Sequence, residues 1–330
     1  MAGAIWKRRK ANILNTMRQY GYDVAHMRNP NNLRPARACV ALLGILSVAG
    51  AAGCGKTDTA KPVAKVSLEP GKKSVALGGV IDLTYKFIVA ADAKPAGDYR
   101  VFVHVNREDG TIIWNDDHEL PAQFKTSAWQ PGQTIEYTRT RFVPTVSYVG
   151  PATLVMGLYR DDDRLPLEGP DPKDKESLER AYTVAKIDLL PRDDSLQGAK
   201  MSGWYGAEFA PDDPTVDWQW TQKSAVLTIK NPKRDVTFYL DYDARSDVFG
   251  AQPQHVTVSV GETKLMTFPA ATPAQSLQRI PVTAAQLGTG ETAEFRIEVD
   301  RTFVPARALN AGSDVRELGI RVYHATVESR

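Results

Sequence analysis

The sequence predicts an all-β protein: two antiparallel β-sandwich domains, immunoglobulin-like and then jelly-roll-like, following an N-terminal signal peptide. Three observations predict it. Apolar residues recur at every second position in short segments bounded by Gly, Pro, Asn and Asp, which is the mark of half-buried strands. No long amphipathic segments alternate with these strands, as a parallel sheet would require. The 330 residues include only two cysteines, Cys39 and Cys54, so the body beyond Cys54 holds no internal disulfide and owes its stability to packing.

The N-terminal region comes first. From Ala38 to Gly53 the run ACVALLGILSVAGAAG is uncharged, and Arg28, Arg34 and Arg37 precede it. A basic flank, an apolar stretch too short to span a bilayer and a small-residue end are the parts of a secretory signal peptide. Met1 to His26 lengthen the basic flank beyond the usual size and read as an extension with no folded role, or as sequence upstream of a start at Met27.

The run Gly50 to Thr57, GAAGCGKT, also satisfies the phosphate-loop pattern G-x-x-x-x-G-K-[ST]. Such a loop needs a helix leaving it, whose N-terminus faces the phosphates. Pro62 and Pro70 forbid a helix in the segment that follows, so nucleotide is excluded as a partner. Nucleic acid is excluded by charge. Removing residues 1–53 takes away eight of 41 basic and one of 39 acidic residues, leaving 33 against 38, a net charge of −5 with no basic stripe.

The segment Ala51 to Cys54, AAGC, resembles the lipobox of bacterial lipoproteins, although Ala51 stands where that family usually has leucine. The resemblance implies a diacylglyceryl group on Cys54 and cleavage before it. Gly55 after the cysteine is similar to the context that sorts such proteins to the outer membrane in enteric bacteria. Ala49, Gly50 and Ala51 also spell an A-x-A cleavage site, which would release a soluble secreted protein instead.

After a tether over 54–64, the first sandwich is expected over 65–193. VIDLTYKFIVA puts Ile81, Leu83, Tyr85, Phe87 and Val89 on one face, and DYRVFVHVNRE does so with Tyr99, Val101, Val103 and Val105, leaving His104 on the other. TIIW, TIEYTRTRFV, ATLVMGLYR and AYTVAKIDLL continue the pattern, giving six or seven strands. Periodicity lapses through LLPRDDSLQGAKMSG, which places a boundary near Asp194. The second sandwich, 194–330, is expected from GWYGAEF, DWQWTQK, SAVLTIK, VTFYLDYDA, HVTVSV, KLMTF, AEFRIEVD and ELGIRVYHATVE, with one helical turn at PVTAAQL.

A second resemblance covers this body. HVNREDG, NDDHELP, SAWQPGQ, FVPTVSYVGPATLVMGLY and RLPLEG look like the extracytoplasmic β-sandwich modules appended to bacterial membrane glycosyltransferases. GWYGAEF, WQWT, FVPAR and ELGIRV look like the jelly-roll modules found beside such enzymes and in carbohydrate-binding proteins. It implies an envelope role or polysaccharide binding.

Candidate chemistry is sparse. Asp116 to Glu119 concentrate carboxylates and an imidazole, but with no second ligand cluster they read as a solvated loop. DYDARSD, Asp241 to Asp247, begins like a calcium loop, yet Ser246 replaces the needed Gly and Gln252 the bidentate Glu, so an EF-hand is excluded while another calcium site stays open. Asp161 to Glu176 reads as a long charged loop. The five histidines share no metal-ligand spacing and G-x-S-x-G is missing, so no metal, cofactor or catalytic residue is expected. Trp204, Tyr205, Trp218 and Trp220 crowd the start of the second sandwich, with Trp218 and Trp220 on one strand face. Such rings either close a core or stack on sugars while Glu208, Asp217 and Gln219 take the hydroxyls.

The expectation is therefore a membrane-anchored, noncatalytic binding or assembly lipoprotein of a Gram-negative envelope, with polysaccharide or an envelope protein as partner. The alternative to a binding protein is a glycan-active enzyme using loop carboxylates such as Asp117 or Glu168. Mass spectrometry of the native N-terminus is expected to find a chain starting at acylated Cys54, and Cys54→Ala is expected to abolish partition into detergent. A chain that keeps Gly50 to Thr57 intact would refute the cleavage.

Overall fold

The computed structural model describes residues 59–171, 179–193, 198–211, 216–309 and 313–329. Cys54, the signal segment and Asp194 lie outside the described residues. Strands dominate, and they form two β-sandwiches in succession.

The first sandwich contains β1 (Ala64–Pro70), β2 (Ser74–Ala76), β3 (Val80–Val89), β4 (Arg100–Asn106), β5 (Ile112–Asn115), β6 (His118–Glu119), β7 (Thr134–Phe142), β8 (Gly150–Arg160), β9 (Asp163–Arg164), β10 (Leu167–Glu168) and β11 (Tyr182–Leu190). One sheet runs β10-β1-β3-β7, and the other runs β2-β11-β8-β4-β5, with β6 beside β4 and β9 beside β8. The expected alternation places the core. Ile81, Leu83, Tyr85, Phe87 and Val89 are buried, and they face Tyr99, Val101, Val103 and Val105 from the other sheet. His104 lies on the outer face of β4, opposite Val155 of β8.

The second sandwich contains β12 (Ala199–Lys200), β13 (Trp204–Phe209), β14 (Asp217–Thr221), β15 (Ser224–Lys230), β16 (Val236–Asp243), β17 (Gln254–Val260), β18 (Thr263–Ala270), β19 (Ser276–Val282), β20 (Thr292–Val299) and β21 (Arg321–Ser329). Its sheets are β12-β15-β20-β17-β18 and β13-β14-β21-β16-β19. The Phe238 and Phe295 rings stack across the interior with centroids 4.7 Å apart. The turn expected at PVTAAQL is α2 in the helix order α1 (Ser246–Phe249), α2 (Ala284–Leu287) and α3 (Pro305–Ala308), and Thr283 and Gln286 close it with a reciprocal capping box.

Several elements depart from the sequence reading. Seven strands were not expected: β1, β2, β6, β9, β10, β12 and β19. β1 begins inside the expected tether, because Ala64, Val66 and Leu68 alternate inward and complete the first core. β10 pairs with β1 and β2 with β11 in parallel, so the first sandwich is not wholly antiparallel. The charged stretch after Arg160 is not simply a loop: Asp163 and Arg164 turn back onto β8, and Leu167 seals the core beside β1.

The two sandwiches meet through the outer face of the β21-β16-β19 half of one sheet. His324 of β21 stacks on Phe142 of β7, with centroids 4.1 Å apart and planes within 4° of parallel. Arg279 donates to Asp82 Oδ1 at 2.8 Å and to Oδ2 at 3.3 Å. Glu328, at the end of β21, accepts from both the Val80 backbone N–H and Lys72. Half-exposed ion pairs add at most about 1 kcal/mol, so the ring stack and the captured backbone donor set the register.

Phe238→Ala is expected to cost about 3–5 kcal/mol, the usual range for emptying a core phenyl site. Ile112→Ala, at a side chain 51% exposed on β5, is expected to change stability by less than about 0.5 kcal/mol. Urea unfolding followed by near-UV circular dichroism measures both, and comparable losses would refute the core assignment.

Candidate functional site

The remaining half of that outer face carries an aromatic array. Trp220 lies directly opposite Arg321 across β14 and β21, Glu208 opposite Trp218 across β13 and β14, and Asp243 opposite Arg321 across β16 and β21. Directly opposed residues share a sheet face, so these five side chains point the same way. The Arg321 guanidinium carbon stands 4.7 Å from the Trp218 ring centre, 5.4 Å from Tyr323 and 5.7 Å from Trp220. Asp243, 4% exposed, accepts from Arg321 through both carboxylate oxygens and from the Tyr323 hydroxyl at 2.8 Å. Burial disfavours the Arg321 charge, but its bonds to Asp243 outweigh that and hold its pKa above the ordinary value.

A second guanidinium frames the edge of the array. Arg316 lies over the Tyr205 ring at 5.2 Å, donates to Asp314 at 2.7 Å and reaches Glu208 Oε1 at 2.7 Å. Glu208 Oε2 accepts from the Trp218 indole N–H at 3.2 Å. Beneath the array Trp220 packs edge-on against Phe303, with Leu318 completing a small apolar cluster that Tyr205 and Trp218 join.

The expected ring residues therefore divide. Tyr205, Trp218 and Trp220 come together, whereas Trp204 packs against the main core and donates from its indole nitrogen to Val226 O at 2.8 Å. A bulge between Trp204 and Ala207 produces the split, because the extra residue breaks the in-out alternation. Gly203, with φ of 80°, starts this strand at a point where a Cβ would lie 1.8 Å from Ser224 O. Arg321, Tyr323 and Arg316 were not singled out from sequence, and Asp243 was read there only as part of the calcium-like segment DYDARSD. The alternation of GIRVYHA around buried Ile320 and Val322 was the available signal for Arg321 and Tyr323.

Asp241 and Asp243, read from sequence as the opening of a calcium loop, are held by other groups. Asp241 accepts from Gln275 and contacts His324 Nδ1 at 2.9 Å, while Asp243 serves Arg321. Among the described residues no group of three His, Cys, Asp or Glu side chains is placed to hold a metal ion.

The segment Asp116 to Glu119 is not a solvated loop. Asp116 is 2% exposed, and its carboxylate accepts from Tyr85 at 2.7 Å and from Arg139 at 2.8 and 3.0 Å. Arg141 Nε lies 2.9 Å away as a charge contact without hydrogen-bond alignment. Burial pushes the Asp116 carboxyl upward, but the Arg139 bonds and the charges of Arg141 and Arg139 hold it below the usual range. His118 beside it bonds the Tyr137 hydroxyl through Nε2 and the Asp116 carbonyl through Nδ1. Burial and the Arg139 charge bring the His118 pKa down to about 4.

Asp117, in contrast, faces a cleft of about 560 Å³ on the outer side of β4 and β8, lined also by Phe102, His104, Tyr159, Arg164 and Arg180. Burial raises the pKa of its carboxyl and lowers that of His104. Glu168, the other carboxylate considered for catalysis, belongs to β10 and does not line this cleft.

No family model matches the chain, and no curated protein matches it. Solved structures do. Bacteroides uniformis β-glucuronidase is 9% identical with a TM-score of 0.29, matching 80% of this chain and 30% of its own length. The M60 catalytic domain with CBM51-1 and CBM51-2 domains from Clostridium perfringens ZmpB is 12% identical with a TM-score of 0.25, matching 83% of this chain and 32% of that one. A carbohydrate-binding module of the β-sandwich superfamily is 10% identical with a TM-score of 0.24, matching 81% of this chain and 98% of its own. The chain thus spans about 30% of the length of the first two. Likenesses this weak leave function to be argued from the chain's own residues.

The buried histidine has a consequence in acid. His118 stays neutral in the fold to about pH 4, while in the unfolded chain it takes a proton below about 6.5, so stability falls as pH drops through that window and this loss is complete below it. The His118 share amounts to about 3 kcal/mol at most. His118→Gln, which cannot titrate, is expected to flatten the urea midpoint between pH 6.5 and 4, and an unchanged pH profile would refute the buried neutral imidazole.

Proposed function

We propose that the protein is a noncatalytic glycan-binding module of the cell envelope, held at a membrane by lipid on Cys54. The observation that carries the binding half is the Arg321-centred array: Trp218 and Tyr323, each half-buried, flank one guanidinium on the outer face of a five-stranded sheet. Sugars present flat C–H faces that stack on such rings, and polar groups at the ring edges fix their hydroxyls. Glu208, Tyr205 and Arg316 supply those groups at the edge of the array.

Noncatalytic binding is supported by how the nearby carboxylates are committed. Asp243, Glu208 and Asp314 each bond an arginine, which leaves none of them poised to exchange a proton with a substrate. The anchoring half rests on the AAGC segment and its apolar, basic-flanked approach. Several acyl chains, at about 0.8 kcal/mol per buried CH₂, would make that attachment effectively permanent.

Trp218→Ala is expected to weaken glycan binding at least about tenfold while leaving the fold intact, because the ring lies on the sheet's outer face. Fluorescence titration against an oligosaccharide panel, with circular dichroism as the fold control, measures this. A variant that unfolds, or one that binds as tightly as the parent, would refute the placement of the site.

A further inference from the structure

We infer that the aromatic array selects uncharged sugars and discriminates against acidic ones, because its arginines carry their own built-in carboxylates. This deepens the proposed glycan-binding function and rests on it. Arginine beside aromatic rings usually signals an anionic ligand, since a free guanidinium takes a carboxylate through two parallel hydrogen bonds. Here one two-donor edge of each guanidinium is already filled within the chain. Asp243 is paired with Arg321 through both oxygens and is further fixed by the Tyr323 hydroxyl. Arg316 is held by both oxygens of Asp314 and by Glu208 Oε1. Arg245, next along the chain from β16, is bidentate with Asp247 at 2.9 and 2.6 Å.

A uronate taking the paired edge of Arg321 would have to displace a carboxylate that is tethered in place, and Asp243, 4% exposed, has no solvated position to retreat to; elsewhere it meets a guanidinium whose charge is already neutralised. It would also bring its charge beside Glu208, at the Trp218 edge. An uncharged pyranose meets neither obstacle. Pairing with Asp243 and Glu208 orients the guanidinium planes as flat, partly apolar walls continuous with the rings, which suits the C–H face of a neutral sugar. Asp243 and Glu208 are thus specificity-determining residues: they leave the stacking surface in place and remove its appetite for anions.

The test is a fluorescence titration of the full-length protein and two variants, Asp243→Asn and Glu208→Gln, at low salt. The probes are neutral gluco-, galacto- and manno-oligosaccharides and an oligogalacturonate of equal length. The parent is expected to bind at least one neutral oligosaccharide about tenfold or more tightly than the oligogalacturonate. Each variant is expected to gain about tenfold for the oligogalacturonate: Asp243→Asn uncovers the Arg321 charge, and Glu208→Gln removes the carboxylate that repels an acid at the Trp218 edge. Glu208→Gln, at a half-exposed edge position, keeps the test open should Asp243→Asn disturb the fold. Oligogalacturonate bound by the parent as tightly as the neutral sugars, or a folded Glu208→Gln protein that gains nothing for it, would overturn the selectivity and leave glycan binding standing. Failure of the parent to bind any of the sugars would overturn the proposed function, and this inference with it.

Discussion

The ion pair between Arg321 and Asp243 joins the start of β21 to the end of β16, and the array is assembled around it. Without Asp243 the guanidinium would stand half-buried among three rings with its charge uncompensated, at a cost that stacking alone does not offset. With it, Arg321 becomes a fixed plane against which Trp218 and Tyr323 take defined positions. The apolar cluster of Trp220, Phe303 and Leu318 supports the same sheet from one side, so the rings rest on packed structure rather than on a loop.

The first sandwich uses the same device for a different end. Asp116 gathers Arg139, Arg141 and Tyr85 where the outer wall of the core meets β7, and it commits His118 to a neutral role. Both sandwiches therefore bury one aspartate under arginine. In the first the result is a closed structural knot, and in the second it is a partly open face.

Much of the fold was legible because the physical rule is short-range. Val236, Phe238, Leu240 and Tyr242 had to share a face whatever followed, and all four are buried. What was not legible depended on partners distant in sequence or on broken alternation. Nothing in NDDHE announces burial, since the arginines that neutralise Asp116 sit 23 and 25 residues away on another strand, Arg139 and Arg141. β19 escaped notice because Pro281 interrupts a polar-looking stretch, although Ile280 and Val282 turn inward. The four crowded aromatics looked equivalent until the bulge after Trp204 sent that ring to the core and left Tyr205, Trp218 and Trp220 together.

β21 places two duties on one row of side chains. Arg321 and Tyr323 serve the array, and His324 and Glu328 a few residues later hold the first sandwich. The strand has already absorbed its single irregularity at Tyr323, where the pairing with β16 shifts. From His324 to Glu328 the segment is consequently fixed in length: one residue gained or lost would exchange the inward and outward rows, turning the docking side chains into the interior and apolar ones toward the neighbouring sandwich. Substitutions can accumulate along this stretch, but insertions and deletions cannot. The aromatic array and the junction between the sandwiches are thus inherited as a single unit, and neither can drift along the strand without the other.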